Sequence, residues 1–535
     1  MKKSLKLLLT CTFSVILLLS ACSSGNGEKK KSSKSANVEI NKEGFPIVDE
    51  KIELTMMGPS TGLAEWKDMV VLQKYEEMTN IHFRFDTPPV SDFQTKLNLA
   101  FASGDIADVI YGAGSNNLTP GMEVDYGEQG ILIPLENLID KYAPNIKKMF
   151  EKNPDLLRSV TTVDGHIYSL PRVSKGPTAS WKMGPMWYNG QWLDALGVKE
   201  LPKTTDEFYE LLKRFKTDDP NGNGKADEIP LSDVKEQHTR AWLMGAFGLK
   251  EWGIDEINGK VRYTPITDNY KEYITFMNKL FKEELLDPEV FSQSSEQKKA
   301  KGQENRLGLF QDWFSFFTTG ESEEDADNNP MFYPLTSSFS DEPVIPRNPA
   351  IARGTFSITK NNSNPEATIR WIDYFYSQEG FEFLAQGPEG YLWEWIDEEA
   401  GTKKWLDAPE GYKTSEDYRG TLTPNYGISA PGLVVPIGGK EDTDFDKFIG
   451  SETKEKIEPY AEVPFPLVYL TKEEQKKINT IEVDLQSYVE QMEAKFITGV
   501  EPLSNWDKYV QTIQKMNIDE YIKIYQDAYD RWANS

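Results

Sequence analysis

From residue 51 onward, apolar side chains alternate or recur at helical spacing, and this divides the chain into short strands and amphipathic helices. "KIELTMMGPS" (51–60) reads as a strand running into a loop. In "AEWKDMVVLQKYEEMTNI" the residues Trp66, Met69, Val70, Leu72, Tyr75 and Met78 share one helical face. "HFRFDTPP" (82–89) alternates as a second strand. "SDFQTKLNLAFASGD" predicts a helix capped by Ser91 and stopped by Gly104, and "ADVIYG" (107–112) is a short buried strand. The order β-α-β-α-β predicts a mainly parallel sheet, whose ligands sit beyond the strands' carboxyl ends. Those ends are residues 58–62 and 111–117.

"DGHIYSLP" (164–171) is extended, as in a crossing between lobes, and "GPMWYNGQWLDALGV" resumes with a strand and a helix. After Asn348, "AIARGTFSITKNNSNPEATIRWIDYFYSQEG" gives another strand, a Pro-marked turn and a helix. From Thr471 the pattern is helical to the end. No tandem repeat occurs. A chain of 535 residues suffices for two or more domains.

Charge narrows the partners. Lys and Arg total 59 against 85 Asp and Glu, a net charge of −26, which argues against nucleic acid and against anionic surfaces. Aromatic residues make up 12%, with 13 Trp, which suggests flat apolar binding surfaces beside the share that packs in a core.

The first residues carry Lys2, Lys3 and Lys6, then an apolar run ending "LSAC" at Cys22. The run is as long as a signal-peptide core and short for a membrane span. Its end resembles a bacterial lipobox, which implies cleavage after residue 21 and lipidation of Cys22; the competing reading is an ordinary signal peptide with a chance cysteine. Cleavage would remove Cys11, leaving no thiol or disulfide in an exported protein. The following polar stretch is too hydrophilic to fold and serves as a tether.

"DPNGNGKADE" (219–228) is spaced like a calcium loop. Asp219, Asn221, Asn223, the Lys225 carbonyl and Asp227 occupy oxygen-ligand positions, and Gly224 stands at the sharp turn. The closing bidentate Glu is replaced by Pro230, so Glu228 is the nearby substitute. "TTDE" (204–207) caps a preceding helix with Phe208, Leu211, Leu212 and Phe215 on one face, and no helix follows at once. A loop with nothing to open is a structural staple; the alternative is a metal-free Asn-Gly turn.

Other chemistry is missing. His82, His166 and His238 lack zinc-type spacing, and there is no phosphate loop and no nucleophile elbow. Acidic pairs are too numerous to carry weight as glycosidase candidates.

A lipobox and tether, then "SGDIADVIYG", "DGHIYSLP", "WYNGQWLDALGV", "DPNGNGKADEIP", "GTFSITKNNSNPEATIRWIDYFYSQEG" and the helical tail, occur in that order. Together they resemble the solute-binding lipoproteins of carbohydrate ABC importers, the LplA-like branch, over nearly the whole mature chain. The resemblance implies an α/β fold of type II periplasmic-binding-protein form, with two lobes joined by crossing strands and closing around a sugar. It implies a signal peptide over 1–21 and a tether over 22–48. One lobe would comprise 49–168 and 353–425, the other 169–352 and 426–535. It also implies calcium held by the six groups above, away from the ligand. The mature protein would be a monomer, anchored by lipid outside the cell membrane, handing an oligosaccharide to permease subunits without chemistry of its own. Trp66, Tyr111, Trp242, Trp313, Trp393 and Trp395 are candidate stacking surfaces, with core packing the competing reading for each. His238 lies near Trp242. Arg353, at the return crossing, is placed to bind a sugar carboxylate or to pair with one of the chain's many acids. A polysaccharide-degrading lipoprotein and a peptide-sensing or adhesion lipoprotein are the rival functions.

Overall fold

The computed structural model describes residues 38–535 except 236, 413, 440 and 441. Two sheets organise it. The first is a six-stranded sheet built from β1 (Ile52–Met57), β2 (Ile81–Asp86), β3 (Val109–Tyr111), β4 (Leu170–Ser174), β11 (Ile351–Ile358) and β14 (Gly432–Val434), in the order β14-β4-β11-β3-β1-β2. The second is three-stranded, from β5 (Met186–Tyr188), β6 (Ile229–Ser232) and β9 (Leu307–Gln311), in the order β5-β9-β6. Two hairpins, β7 (Ile254–Ile257) with β8 (Lys260–Tyr263) and β12 (Trp393–Asp397) with β13 (Thr402–Trp405), lie outside them. A short parallel pair joins β10 (Ile345–Pro346) to β15 (Ala461–Glu462).

The β-α-β-α-β reading holds at the start of the chain: β1 pairs with β2 and with β3 in parallel. The return strand departs from it, because β11 runs antiparallel to both β3 and β4. Ser91 does not cap the second helix; that helix is Val90–Ser103, its N-cap is Pro89, and Ser91 lies within its first turn. Gly104 ends it in the left-handed conformation, as expected of a residue without Cβ strain. Trp66 forms a separate 3₁₀ turn before the first helix, Val70–Thr79. The Thr204–Glu207 capping box forms in both directions.

Lobe boundaries shift at two places. β4 and β14 pair with each other in the first sheet, although boundaries at 168 and 425 put both in the other lobe. The chain therefore passes between the sheets three times, after β4, before β11 and after β14. These passages are hydrogen-bonded side by side: Ser174 N–H donates to the Ala350 carbonyl (2.9 Å) and Lys175 N–H to that of Val434 (2.8 Å). The terminal helices, Lys472–Thr498, Trp506–Gln514 and Ile518–Asn534, bury Leu485, Val489, Phe496 and Ile513 in the core of the second sheet.

Candidate functional site

A cavity of about 370 Å³ opens where the connecting segments leave the first sheet. Arg172, Ser174, Asn348 and Val434 border it from the connectors, and Trp181 and Trp313 from the second sheet's side. Trp313 follows β9 and is 50% exposed. Its inner face stacks on Trp181, with ring centroids 6.3 Å apart and planes 21° from parallel. Trp181 is itself buried and fixed by Nε1–H donating to Thr453 Oγ1 (3.1 Å). The two indoles can sit there because Gly184 passes beneath: a Cβ on it would stand 2.4 Å from the Asp312 carbonyl oxygen. The result is one aromatic face left open on a rigid support, the surface a pyranose or furanose ring can stack against.

Arg172 faces the same space from the crossing strand, paired across β4 with Ala352 of β11 and Gly432 of β14. Its Nε is buried and meets no acceptor. Burial, and after it the charge of Arg419, pushes the guanidinium below its ordinary value. Hydroxyls of Ser174 and Thr178 and the Asn348 amide complete the polar lining. Among the described residues no carboxylate, histidine or cysteine lines the cavity, so its lining offers no general acid or base. A larger cavity of about 630 Å³ borders the connectors as well, roofed by Tyr529 and Trp532 of the last helix.

Of the residues singled out in sequence, Trp313 reaches the cavity and most others do not. Trp66 is 2% exposed beneath Gly58, packed edge-on to Tyr111 with centroids 5.5 Å apart. Tyr111 is 1% exposed, and its hydroxyl has no partner. Trp242 is buried in the second core, its Nε1–H donating to the Gly184 carbonyl (3.1 Å). These three rings are structural: at such burial none has a face to offer a ligand. Trp393 and Trp395 lie half-buried on the β12–β13 hairpin with Lys403 Nζ over both rings (4.6 and 5.0 Å), and neither lines the cavity. The side chain of His238 lies outside the described residues.

Arg353 is also internal. Its guanidinium donates to the carbonyls of Ser159 (3.3 Å), Leu467 (3.5 Å) and Val468 (3.1 Å) and lies over the Tyr469 ring at 4.3 Å. Buried Glu123 accepts from Ser169 (2.5 Å) and Tyr469 (2.8 Å) nearby, and burial pushes its carboxyl above the usual range against the pull of Arg353. This cluster ties the crossing strands to the segment before the long terminal helix, and Arg353 is buried there, outside the lining of the Trp313 cavity. Sequence reasoning missed Trp181 and Arg172. The one available signal for Arg172 was a cation in the otherwise uncharged crossing segment "SLPRVS".

The acidic loop lies between the capped helix and β6, among residues that border a different cavity. Asp219 adopts φ of 47°, and Gly222 and Gly224 have φ of 67° and 72°. Asp219 accepts from the backbone of Asn223 (3.1 Å) and Gly224 (3.1 Å), so the loop coils around that carboxylate. Asn223 Nδ2 donates to Asp227 (2.9 Å), and this bond chiefly holds the Asp227 carboxyl below its usual range. Glu228 Oε1 is buried without a partner, and burial, then the charges of Asp219 and Asp227, push its carboxyl up. An orphaned carboxylate oxygen beside two more carboxylates suits a hard cation. Yet among the described residues no three acidic, His or Cys side chains stand close enough to hold an ion by themselves. Amide and carbonyl oxygens of Asn221, Asn223 and Lys225 would have to complete the set. Arg306 Nε–H donates to the Asp227 carbonyl (3.2 Å) and Asn221 Nδ2 to that of Asn305 (3.3 Å), so the loop fastens the helix to β9.

Two helix-flanked sheets, thrice-crossed connectors and an aromatic cavity beside them define a two-lobed binding protein. The chain belongs to the bacterial extracellular solute-binding protein family, whose family model matches residues 59–380. It is 31% identical over 550 residues to the fructooligosaccharide ABC transporter substrate-binding protein FusA of Streptococcus pneumoniae serotype 4, covering 98% of this chain and 97% of that one. The solved structure of S. pneumoniae FusA with kestose covers 90% of this chain and 100% of its own, at 30% identity and a TM-score of 0.70. A FusA EF-hand mutant with fructo-nystose matches over the same shares, at 29% identity and a TM-score of 0.70. The family and this relative are binding proteins rather than enzymes.

Proposed function

We propose that this protein is the substrate-binding component of an ABC importer and captures an oligosaccharide in the cavity that Trp313 faces. The observation that carries the reading is the half-open indole of Trp313, backed by buried Trp181 at the junction of the two sheets. The near full-length likeness to FusA supports delivery to a permease rather than chemistry. Around that function we place Cys22 as the lipidated residue of a monomer held outside the cell membrane. Both Cys22 and the preceding leader lie outside the described residues; among the described ones no helix is long and apolar enough to cross a membrane. We place a structural calcium in the 219–228 loop, with Asp219, Asn221, Asn223, the Lys225 carbonyl, Asp227 and Glu228 as its ligands. When bound, the ion supplies charge balance for three carboxylates and no part of sugar recognition. Native mass spectrometry of the protein purified from its own cells tests the main claim: a bound sugar mass is expected. A co-purified peptide, or sugars cleaved on incubation with glycans, would replace this reading with one of its rivals.

A further inference from the structure

The lining of the Trp313 cavity contains one charged side chain among the described residues, Arg172. In a chain with 85 acidic residues, the exclusion of every carboxylate from that lining is informative. Sugar hydroxyls donate as well as accept, so a site for a neutral sugar gains from carboxylate acceptors. Here the charged group is a guanidinium, which can only donate.

Arg172 is also unanswered. Elsewhere inside the fold the cations have partners: Arg240 pairs with Glu493 (2.8 Å), Arg262 with Asp255 (2.7 Å) and Lys301 with Asp287 (2.8 Å). Arg353 is met by carbonyls, and Arg419, the neighbouring cation, has Glu416 at 2.9 Å. Arg172 Nε is buried with no acceptor, an unpaired donor that costs free energy. The residue as a whole is partly exposed and borders the cavity, so its outer nitrogens are the ones a ligand can meet. A carboxylate suits the planar fork of a guanidinium, which it can meet with two parallel bonds. The chain's net charge of −26 does not oppose this at close range, because charges beyond about 8 Å are largely screened at physiological ionic strength.

We infer that the cavity takes a sugar bearing an anionic group, a uronic acid residue whose carboxylate pairs with Arg172 while its ring stacks on Trp313. Arg172 is then the residue that sets specificity between acidic and neutral oligosaccharides. The inference rests on the oligosaccharide reading above, and its test separates the two. Titration calorimetry on the folded protein would use trisaccharides of galacturonate, mannuronate and glucuronoxylan, each beside its carboxyl-reduced neutral counterpart, together with kestose. At least one uronate should bind roughly tenfold or more tighter than its reduced counterpart, the scale of a hydrogen-bonded charge. That margin should shrink as sodium chloride is raised. Arg172→Gln should erase the preference at unchanged melting temperature, and Arg172→Lys should restore part of it; if the Gln variant fails to fold, the Lys variant and the salt series decide. Neutral sugars binding as well as every uronate, or a preference that survives Arg172→Gln, would overturn the anionic assignment and leave the oligosaccharide reading standing. Binding of none of these sugars would overturn both.

Discussion

Replacing Trp313 with alanine tests the stacking surface directly. An aromatic side chain buries about 150–250 Å² when fully covered. Trp313 is 50% exposed, so roughly half of that area, about 75–125 Å², remains for a ligand to cover. At about 25 cal/mol per Å² this amounts to about 2–3 kcal/mol, and incomplete coverage by a sugar ring brings the expected loss to about 1–3 kcal/mol. Affinity should therefore fall roughly fivefold to a hundredfold. Stability should change much less, because the ring is already half in water and its support, Trp181, keeps its own hydrogen bond to Thr453. Intrinsic fluorescence titration reads the binding and a thermal melt reads the fold. The reasoning fails if Trp313→Ala keeps full affinity, or if its melting temperature collapses as a core ring's would.

Three further outcomes are expected. Trp66→Ala, by contrast, should cost about 3–5 kcal/mol of stability, as a buried ring does; an unchanged denaturation midpoint would contradict its place beneath Gly58. Chelation should lower the melting temperature, because an ion bound only by the folded state stabilises it by about 2.7 kcal/mol at a hundredfold excess over Kd. Sugar affinity should hold in that experiment, and a melting point unmoved by chelator would reduce the 219–228 loop to a turn. Cys22→Ala should release the protein from membranes or leave it unprocessed, and an identical acylated mass in the variant would refute the anchor.

Local signals were legible in sequence because their causes are local. The capping box at Thr204 and Glu207 forms as read, Gly104 stops its helix, and β1, β2 and β3 pair in parallel. Ser91 was misread because Pro89 supplies the fixed φ that starts the helix two residues earlier. Long-range pairing was not legible: nothing near β11 says that it enters the sheet antiparallel, nor near β14 that it returns to β4. The same blindness misassigned Arg353, whose carbonyl acceptors at 159, 467 and 468 lie more than a hundred residues away. It also left Trp66, Tyr111 and Trp242 indistinguishable from Trp313, since a tryptophan in a sequence does not declare which of its faces is covered.

The three passages between the sheets carry Ser174 and Asn348, and these residues also border the cavity. If these passages flex as a hinge, a ligand there grips it, and occupancy and closure become one equilibrium. If the unliganded protein were closed roughly one per cent of the time, it would bind about a hundredfold more weakly than its closed form does. A substitution at Pro349, which borders two other cavities but not this one, could then retune affinity without touching sugar. Relatives with matching pockets need not share dissociation constants, and evolution can adjust capture and release through the connectors while the recognition surface stays fixed.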